Sequence, residues 1–115
     1  PKPVQGYFTL SLCQVLADAI PEKWARGLPR QAGAMKLGRL AVARSERGKG
    51  LGKALLLEAL YRVARVSDQA GGVGLFVDAK DEAAATFYAH FGFEPAPGAP
   101  LTLFLPIQTI QLLLG

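Results

Sequence analysis

A short stretch near the middle of the chain combines glycine with positive charge in a spacing that is typical of anion binding. Its residues are Arg47, Gly48, Lys49, Gly50, Leu51, Gly52 and Lys53. Glycines at this density let the backbone approach a ligand closely, because no Cβ atom is in the way. An apolar run precedes the stretch and a helical pattern follows it, so we expect a helix to begin there. The free N–H groups and the dipole of a helix N-terminus attract anions, most often phosphate.

Two well-known glycine loops do not fit this stretch. A Walker A loop has glycine five residues before its Gly-Lys pair and serine or threonine after it; here those positions hold Arg47 and Ala54. A dinucleotide-binding loop reads Gly-x-Gly-x-x-Gly, and Lys53 stands where the third glycine is required. The pattern that does fit is Arg-x-x-Gly-x-Gly over residues 47–52. The alternative is a glycine turn that only reverses the chain.

Positive charge is concentrated in the same part of the sequence. Nine of the 13 lysines and arginines lie between positions 23 and 53 with one acid, so this interval carries +8 and the remainder −4. Such an uneven distribution of charge along the chain indicates an anionic partner. A phosphorylated cofactor accounts for part of it, and the excess makes RNA a candidate partner. The predicted RNA-binding residues are Lys23, Arg26, Arg30 and Lys36. The alternative is a basic loop that is simply solvated.

Length and composition predict one domain outside the membrane. The chain has 115 residues, 50% of them apolar, and lacks an apolar run near the roughly 20 residues that span a bilayer. No leader pattern precedes the first predicted strand, so we expect a cytoplasmic protein. The single cysteine, Cys13, is expected to be a buried structural thiol. No group of residues suggests a metal site.

Hydrophobic periodicity predicts an α/β order of elements. Residues 16–34 are predicted to be irregular, with Trp24 anchored on the core. The order strand, helix, strand around the glycines predicts a right-handed crossover and a parallel strand pair. We expect the apolar tail to form a short packed helix or a partner contact. The predicted strands cover residues 4–15, 35–43, 73–79, 93–94 and 101–105, the helices residues 51–69 and 82–91 after an N-cap at Asp81, and the tail residues 107–115.

A second motif, Phe87-Tyr88-Ala89-His90-Phe91-Gly92-Phe93, ends the last predicted helix. Together with residues 47–52 it resembles the signatures of the GNAT superfamily of acetyl-CoA dependent N-acetyltransferases. Five further segments resemble, within that superfamily, the acetyltransferase toxins of bacterial toxin–antitoxin pairs. They are Leu28-Pro29-Arg30, Leu37-Gly38-Arg39-Leu40-Ala41-Val42, Gly48-Lys49-Gly50-Leu51-Gly52, Ala79-Lys80-Asp81-Glu82-Ala83-Ala84 and Pro100-Leu101-Thr102-Leu103.

The resemblance implies a fold and a cofactor. The fold class is α/β, a single GNAT domain over residues 1–115 with a mixed sheet and a strand–glycine loop–helix cofactor site. Relatives begin with a strand, two helices and another strand that have no counterpart here, so we expect the C-terminal portion of the family fold. The implied cofactor is acetyl-CoA. Its pyrophosphate is expected on the amides of residues 47–53, and its thioester carbonyl on backbone N–H groups near Ala41 and Val42.

The resemblance also implies a general acid. Tyr88 stands where the family has a tyrosine that gives its phenol proton to the leaving thiolate. Phe87 and Phe91 are four residues apart and predict a core stripe, from which Tyr88 is rotated by about 100°. The alternative is that Tyr88 is itself a core aromatic. His90 is expected to be exposed, and no acid stands out as a general base.

The implied acceptor is the amino group of aminoacyl-tRNA, whose acetylation blocks translation. The implied protein partners are a ribbon-helix-helix antitoxin and a second copy of the chain. Two other functions stay open. One is acetylation of a small polyamine or a protein lysine, and the other is a domain without catalysis that binds only the cofactor or the antitoxin.

Overall fold

The structure, a computed structural model, describes residues 6–42 and 50–115. Three of the predicted cofactor-binding residues, Arg47, Gly48 and Lys49, lie outside the described residues. The strands are β1 (Gly6–Leu16), β2 (Gln31–Val42), β3 (Gly74–Asp78), β4 (Glu94–Ala96) and β5 (Ala99–Pro106). The helices are α1 (Glu22–Ala25), α2 (Leu51–Ala70), α3 (Glu82–Ala89) and α4 (Ile107–Leu114), and a 3-10 turn, Ala17–Ala19, precedes α1.

The five strands form one mixed sheet in the order β1-β2-β3-β5-β4. The pair β2 and β3 is parallel and the other pairs are antiparallel. The α/β fold class and the parallel pair around α2 are therefore confirmed. Strand β2 begins at Gln31 rather than at the predicted Met35, because its first residues continue a long antiparallel ladder with β1.

Helices α2, α3 and α4 contribute to one core on one side of the sheet, which we call the helix face. Leu56, Leu60 and Val63 of α2 are fully buried there, as their spacing predicted. The tail forms a packed helix, α4, as one of the two expectations had it: Ile110 is fully buried, while Leu112 is 82% exposed. No helix in the described parts of the chain is long and apolar enough to span a bilayer.

The other side of the sheet, the opposite face, carries a smaller core. Phe76 and Phe104 stack there with ring centroids 4.8 Å apart, and Ile20 and Trp24 cover them. The Trp24 indole also donates a hydrogen bond of 2.8 Å to Glu94. Trp24 is thus the anchor that the sequence predicted, and the segment predicted to be irregular contains the 3-10 turn and α1. Cys13 is half-buried beside this cluster.

Strands β2 and β3 separate part-way along β2. Their last paired residues are Leu37 and Val77. At the next position the ladder between β1 and β2 slips, since Leu10 pairs with Leu37 and Thr9 with Arg39. Gly38 is the extra residue of this bulge, and a Cβ atom there would lie 2.7 Å from Thr9 Oγ1. Because a bulge bends and twists its strand, β2 leaves β3 over residues 38–42 and the sheet opens.

Candidate active site

A cavity of about 340 Å³ lies between the separated strands. One wall is the end of β2, the other is the end of β3 with the residues that follow it, and α3 contributes two side chains. The volume is in the range of small-molecule sites, which favour the point where neighbouring strands of an α/β sheet diverge. The lining residues are Tyr7, Leu37, Gly38, Leu40, Ala41, Val77, Asp78, Ala79, Lys80, Ala84 and Tyr88.

The N-terminus of α2 is open to an anion. Its N-cap, Gly50, has φ 78°, a left-handed conformation that glycine adopts without strain. Within the described residues no side chain caps the helix and no acid lies in its first turn, so none of them neutralises the first N–H groups and the positive dipole end. A Cβ atom built on Gly50 would meet nothing within 4 Å. A phosphate site over Gly50 to Lys53 stays a prediction.

Tyr88 occupies the core and the cavity at once. It is 7% exposed and is the buried residue of α3, whereas Phe87 and Phe91 are only half-buried. Its ring contacts Phe87 and Phe93 edge-on, at centroid distances of 5.2 and 5.3 Å. Phe87 and Phe91 pack against the core with ring centroids 5.4 Å apart, as predicted. The expectation that Tyr88 points away from that core was wrong, because Phe93 packs against Tyr88 after the turn at Gly92. The exposure of His90 is confirmed.

The phenol of Tyr88 faces the cavity rather than a protein partner. Tyr88 lines the cavity, and no side-chain oxygen or nitrogen is buried without a hydrogen bond in the described residues. Burial raises the pKa of the Tyr88 phenol above its usual value, since the phenolate is poorly solvated there. The group therefore keeps its proton at neutral pH and can give it to a stronger base.

Asp78, the last residue of β3, was not among the predicted site residues. Its carboxylate lines the cavity, lies 2.6 Å from the Lys36 ammonium and accepts a 3.0 Å hydrogen bond from Thr102. The only signal in the sequence was one acid that ends an otherwise apolar strand. Asp81 is the N-cap of α3, as predicted, and accepts a 2.8 Å hydrogen bond from the Ala84 N–H.

Comparison with known proteins assigns this arrangement to a family. The acetyltransferase (GNAT) domain matches residues 14–95, more than half of the chain. The chain belongs to the GNAT acetyltransferase family. Both motifs on which the resemblance rested, the glycine loop and the segment around Tyr88, lie within the matched residues, so the predicted family membership is confirmed.

Individual relatives are acetyltransferase toxins. The chain is 36% identical over 112 residues to a tRNA-acetylating toxin of Mycobacterium tuberculosis, covering 97% of this chain and 68% of that protein. It is 36% identical to AtaT complexed with acetyl-methionyl-tRNAfMet, with a TM-score of 0.88 and coverage of 96% and 67%. It is 34% identical to a mutant AtaT toxin bound to the C-terminus of the antitoxin AtaR and acetyl-CoA, with a TM-score of 0.79 and coverage of 96% and 63%. The GNAT domain described here thus spans about two thirds of their length.

The predicted RNA-binding residues of this GNAT domain fall into two groups. Lys23 lies 2.7 Å from Glu94, and Lys36 is paired with Asp78. Partial burial raises the pKa of Glu94, but the Lys23 ammonium and the Trp24 N–H hold it below its usual value. Arg26 and Arg30 are exposed, and neither belongs to an ion pair within the described residues. Among the four predicted RNA-binding residues, two are therefore paired with carboxylates and two have no ion pair within the described residues.

The position of the Tyr88 phenol can be tested by titration. Because burial opposes ionisation, Tyr88 should titrate above pH 10, the ordinary value for tyrosine. The measurement is the difference between the ultraviolet pH titrations of the wild type and Tyr88→Phe. Tyr61→Phe, which removes a phenol that is 51% exposed on α2, is the control for loss of one chromophore. A Tyr88 midpoint at or below pH 10 would contradict the buried position.

Proposed function

We propose that this chain is the catalytic part of an acetyl-CoA dependent N-acetyltransferase that acetylates the α-amino group of aminoacyl-tRNA and so blocks translation in the cytoplasm. The observation that supports the proposal is the gap between β2 and β3, where Tyr88 and Ala41 line one cavity. Such a gap is suited to bringing a thioester and an amine together away from bulk water.

The cofactor site fits an elongated phosphorylated thiol ester. Residues 38–42 of β2 have no ladder partner in β3, so their N–H and C=O groups on that side can pair with the amides of a linear ligand, as an added strand would. The open end of α2 at Gly50 suits the pyrophosphate. Acetyl-CoA supplies the acetyl group as a thioester, and N–H groups near Ala41 and Val42 would polarise its carbonyl.

Tyr88 is proposed as the general acid. When the neutral acceptor amine attacks the thioester carbonyl, a C–N bond forms and the C–S bond breaks; the nitrogen loses a proton to water, and the departing sulfur takes one from the general acid, which regains it from water. The Tyr88 phenol holds one at neutral pH and faces the cavity. The attacking amine must be neutral. The α-amino group of an aminoacyl ester, for which the terminal amine pKa of about 7.7–8.0 is the nearest reference, loses its proton more easily than a lysine at about 10.4.

The acceptor and the partners are proposed from relatives and from charge. The similar toxin of M. tuberculosis acetylates tRNA, and AtaT has been seen with an acetylated methionyl-tRNA. The excess of cations over residues 23–53 is the electrostatic feature expected for such a partner. By the same likeness we propose an antitoxin as protein partner, because AtaT binds AtaR. A second copy of the chain is the other proposed partner.

Substitution of Gly50 tests the cofactor site. Gly50→Leu should lower acetyl-CoA affinity by about tenfold or more, equivalent to ~1.4 kcal/mol, because the side chain enters the space at the start of α2. The matched control is Gly27→Leu, since Gly27 has φ 80° and, like Gly50, open space around its Cβ position. Both variants carry the same backbone strain, which thermal unfolding measures. Calorimetry that finds equal acetyl-CoA affinity in the two variants would remove the proposed site.

Substitution of Tyr88 tests the chemistry. Tyr88→Phe keeps the ring that packs on Phe87 and Phe93 and removes only the proton donor. Turnover should therefore fall by about 10²- to 10⁴-fold, with acetyl-CoA affinity unchanged. The assay follows acetyl transfer to aminoacyl-tRNA, with spermidine and a lysine peptide as competing acceptors. If Tyr88→Phe turns over as fast as the wild type, another group donates the proton. If the wild type prefers spermidine or the peptide, aminoacyl-tRNA is not the acceptor.

The salt dependence of tRNA binding tests the basic segment. Each phosphate contact releases counterions, so the logarithm of the affinity should fall with the logarithm of salt by about 0.7–0.9 per contact. Arg26→Glu and Arg30→Glu should each flatten this slope by about one contact, because neither side chain forms an ion pair in the described parts of the chain. Arg65→Glu, the same charge change on the outer side of α2, is the control. A slope that neither Arg26→Glu nor Arg30→Glu alters would contradict their role.

A further inference from the structure

Three polar side chains form a row across three strands on the opposite face of the sheet, next to the gap. Lys36 of β2 lies 2.6 Å from Asp78 of β3, and the Thr102 hydroxyl of β5 donates to the second carboxylate oxygen of Asp78 at 3.0 Å. Alternation along the strands places them with Phe76 and Phe104, on the side away from α2. Asp78, in the middle of the row, is its member that lines the cavity.

Asp78 is the one carboxylate among the described residues that line the cavity. Its side chain is 56% exposed, so the carboxylate can accept a further hydrogen bond in addition to those from Lys36 and Thr102. Lys80 is the one cation among the described residues that line the same cavity. The hydrogen bond from Lys36 lowers the pKa of the Asp78 carboxyl below its usual value, and the Thr102 hydroxyl acts in the same direction. Asp78 is therefore an anion at neutral pH, held in one orientation by two neighbours.

Fold stability does not explain this row. An ion pair between half-exposed side chains contributes about 0–1 kcal/mol, and Lys36 and Asp78 are 44% and 56% exposed. The hydrophobic cores on both faces are complete without the pair. An ionised, oriented carboxylate beside a cavity is, in contrast, what a site for a cationic amine requires.

We propose that Asp78 binds the acceptor amine in its ammonium form and orients it in the gap, with Lys36 as the counter-ion that keeps the carboxylate in place. The inference rests on the proposed transferase function and names the acceptor side of the same site. The amine arrives through the opposite face, donates hydrogen bonds to Asp78, and loses one proton to water before it attacks. Thr102 fixes the carboxylate plane from the β5 side.

Binding without turnover tests the assignment. The chain is saturated with CoA, which carries no acetyl group, and is titrated with two probes. The first is aminoacylated tRNA, and the second is the same tRNA with the α-amino group converted to a hydroxyl group. A hydrogen-bonded ammonium–carboxylate contact predicts about tenfold or tighter binding of the first probe to the wild type. Asp78→Asn should bind both probes equally and at the affinity of the hydroxyl probe.

Two variants separate this contact from general electrostatics. Glu82→Gln removes a charge of the same sign from an exposed residue that does not line the cavity, and should keep the wild-type preference for the amine. Lys36→Gln should reduce the preference without abolishing it, because Asp78 stays ionised but loses the partner that holds it in place. Thermal unfolding of all three variants near the wild-type midpoint checks that each is folded.

The outcomes separate the role of Asp78 in binding the acceptor amine from the proposed transferase function. Preference for the amine that disappears in Asp78→Asn alone supports the assignment. Equal preference in Asp78→Asn and the wild type overturns it, as does a wild type that acetylates aminoacyl-tRNA with no preference in the binding assay. In both of these cases the transferase function stands. A wild type that acetylates no aminoacyl-tRNA overturns the proposed function and this assignment together.

Discussion

The separation of β2 from β3 is the constraint on which the rest of the structure depends. Backbone N–H and C=O groups need partners when they are buried, and beyond Leu37 the edge of β2 that faces β3 has no ladder to supply them. The bulge at Gly38 makes this geometry stable, because it bends β2 while the ladder with β1 continues to Val42. Unpaired N–H and C=O groups would destabilise a closed sheet. In the open sheet the same groups can form hydrogen bonds with a ligand.

The hydrophobic core keeps the gap from closing. Leu56 and Leu60 of α2 pack beneath β2 and β3, and the aromatic group of Tyr88 and Phe93 packs beneath the ends of β3 and β5. These contacts also fix the Tyr88 ring, so that its phenol enters the cavity in one orientation. The ring of Tyr88 thus contributes to stability, and its hydroxyl is available for chemistry. Burial excludes water from the side chain, which stabilises the packed ring and also raises the pKa of the phenol.

Local patterns in the sequence were sufficient for much of this structure. The buried stripe of α2, the apolar strand β3 and the N-cap Asp81 depend on residues close together in the chain, and each was predicted. Family membership also followed from two short motifs. The position of the Tyr88 ring could not be predicted in this way. It depends on contact with Phe93, which follows the turn at Gly92, and helical periodicity does not describe that turn.

Charge was the property least accessible from the sequence. Lys23 and Lys36 belong to the basic segment, but each pairs with a carboxylate far along the chain, Glu94 and Asp78, once the sheet has formed. Lys36 meets Asp78 through the register of β2 and β3, and Lys23 meets Glu94 where α1 contacts β4. Two of the four predicted RNA-binding residues are therefore paired with carboxylates. The carboxylate at the cavity was hidden as well, because Asp78 was read only as the end of a strand.

The gap has different polar groups on its two sides, and that difference matters for a reaction between a phosphorylated thioester and an amine. On the helix face the N-terminus of α2 has no side-chain cap at Gly50 and favours phosphate. On the opposite face the ionised Asp78 is paired with Lys36, and Lys80 lines the same cavity. Asp78 would therefore hold an ammonium group through direct hydrogen bonds and not through a net negative charge of the surroundings. Alignment of the two substrates beside Tyr88 then follows from the separation of the same two strands.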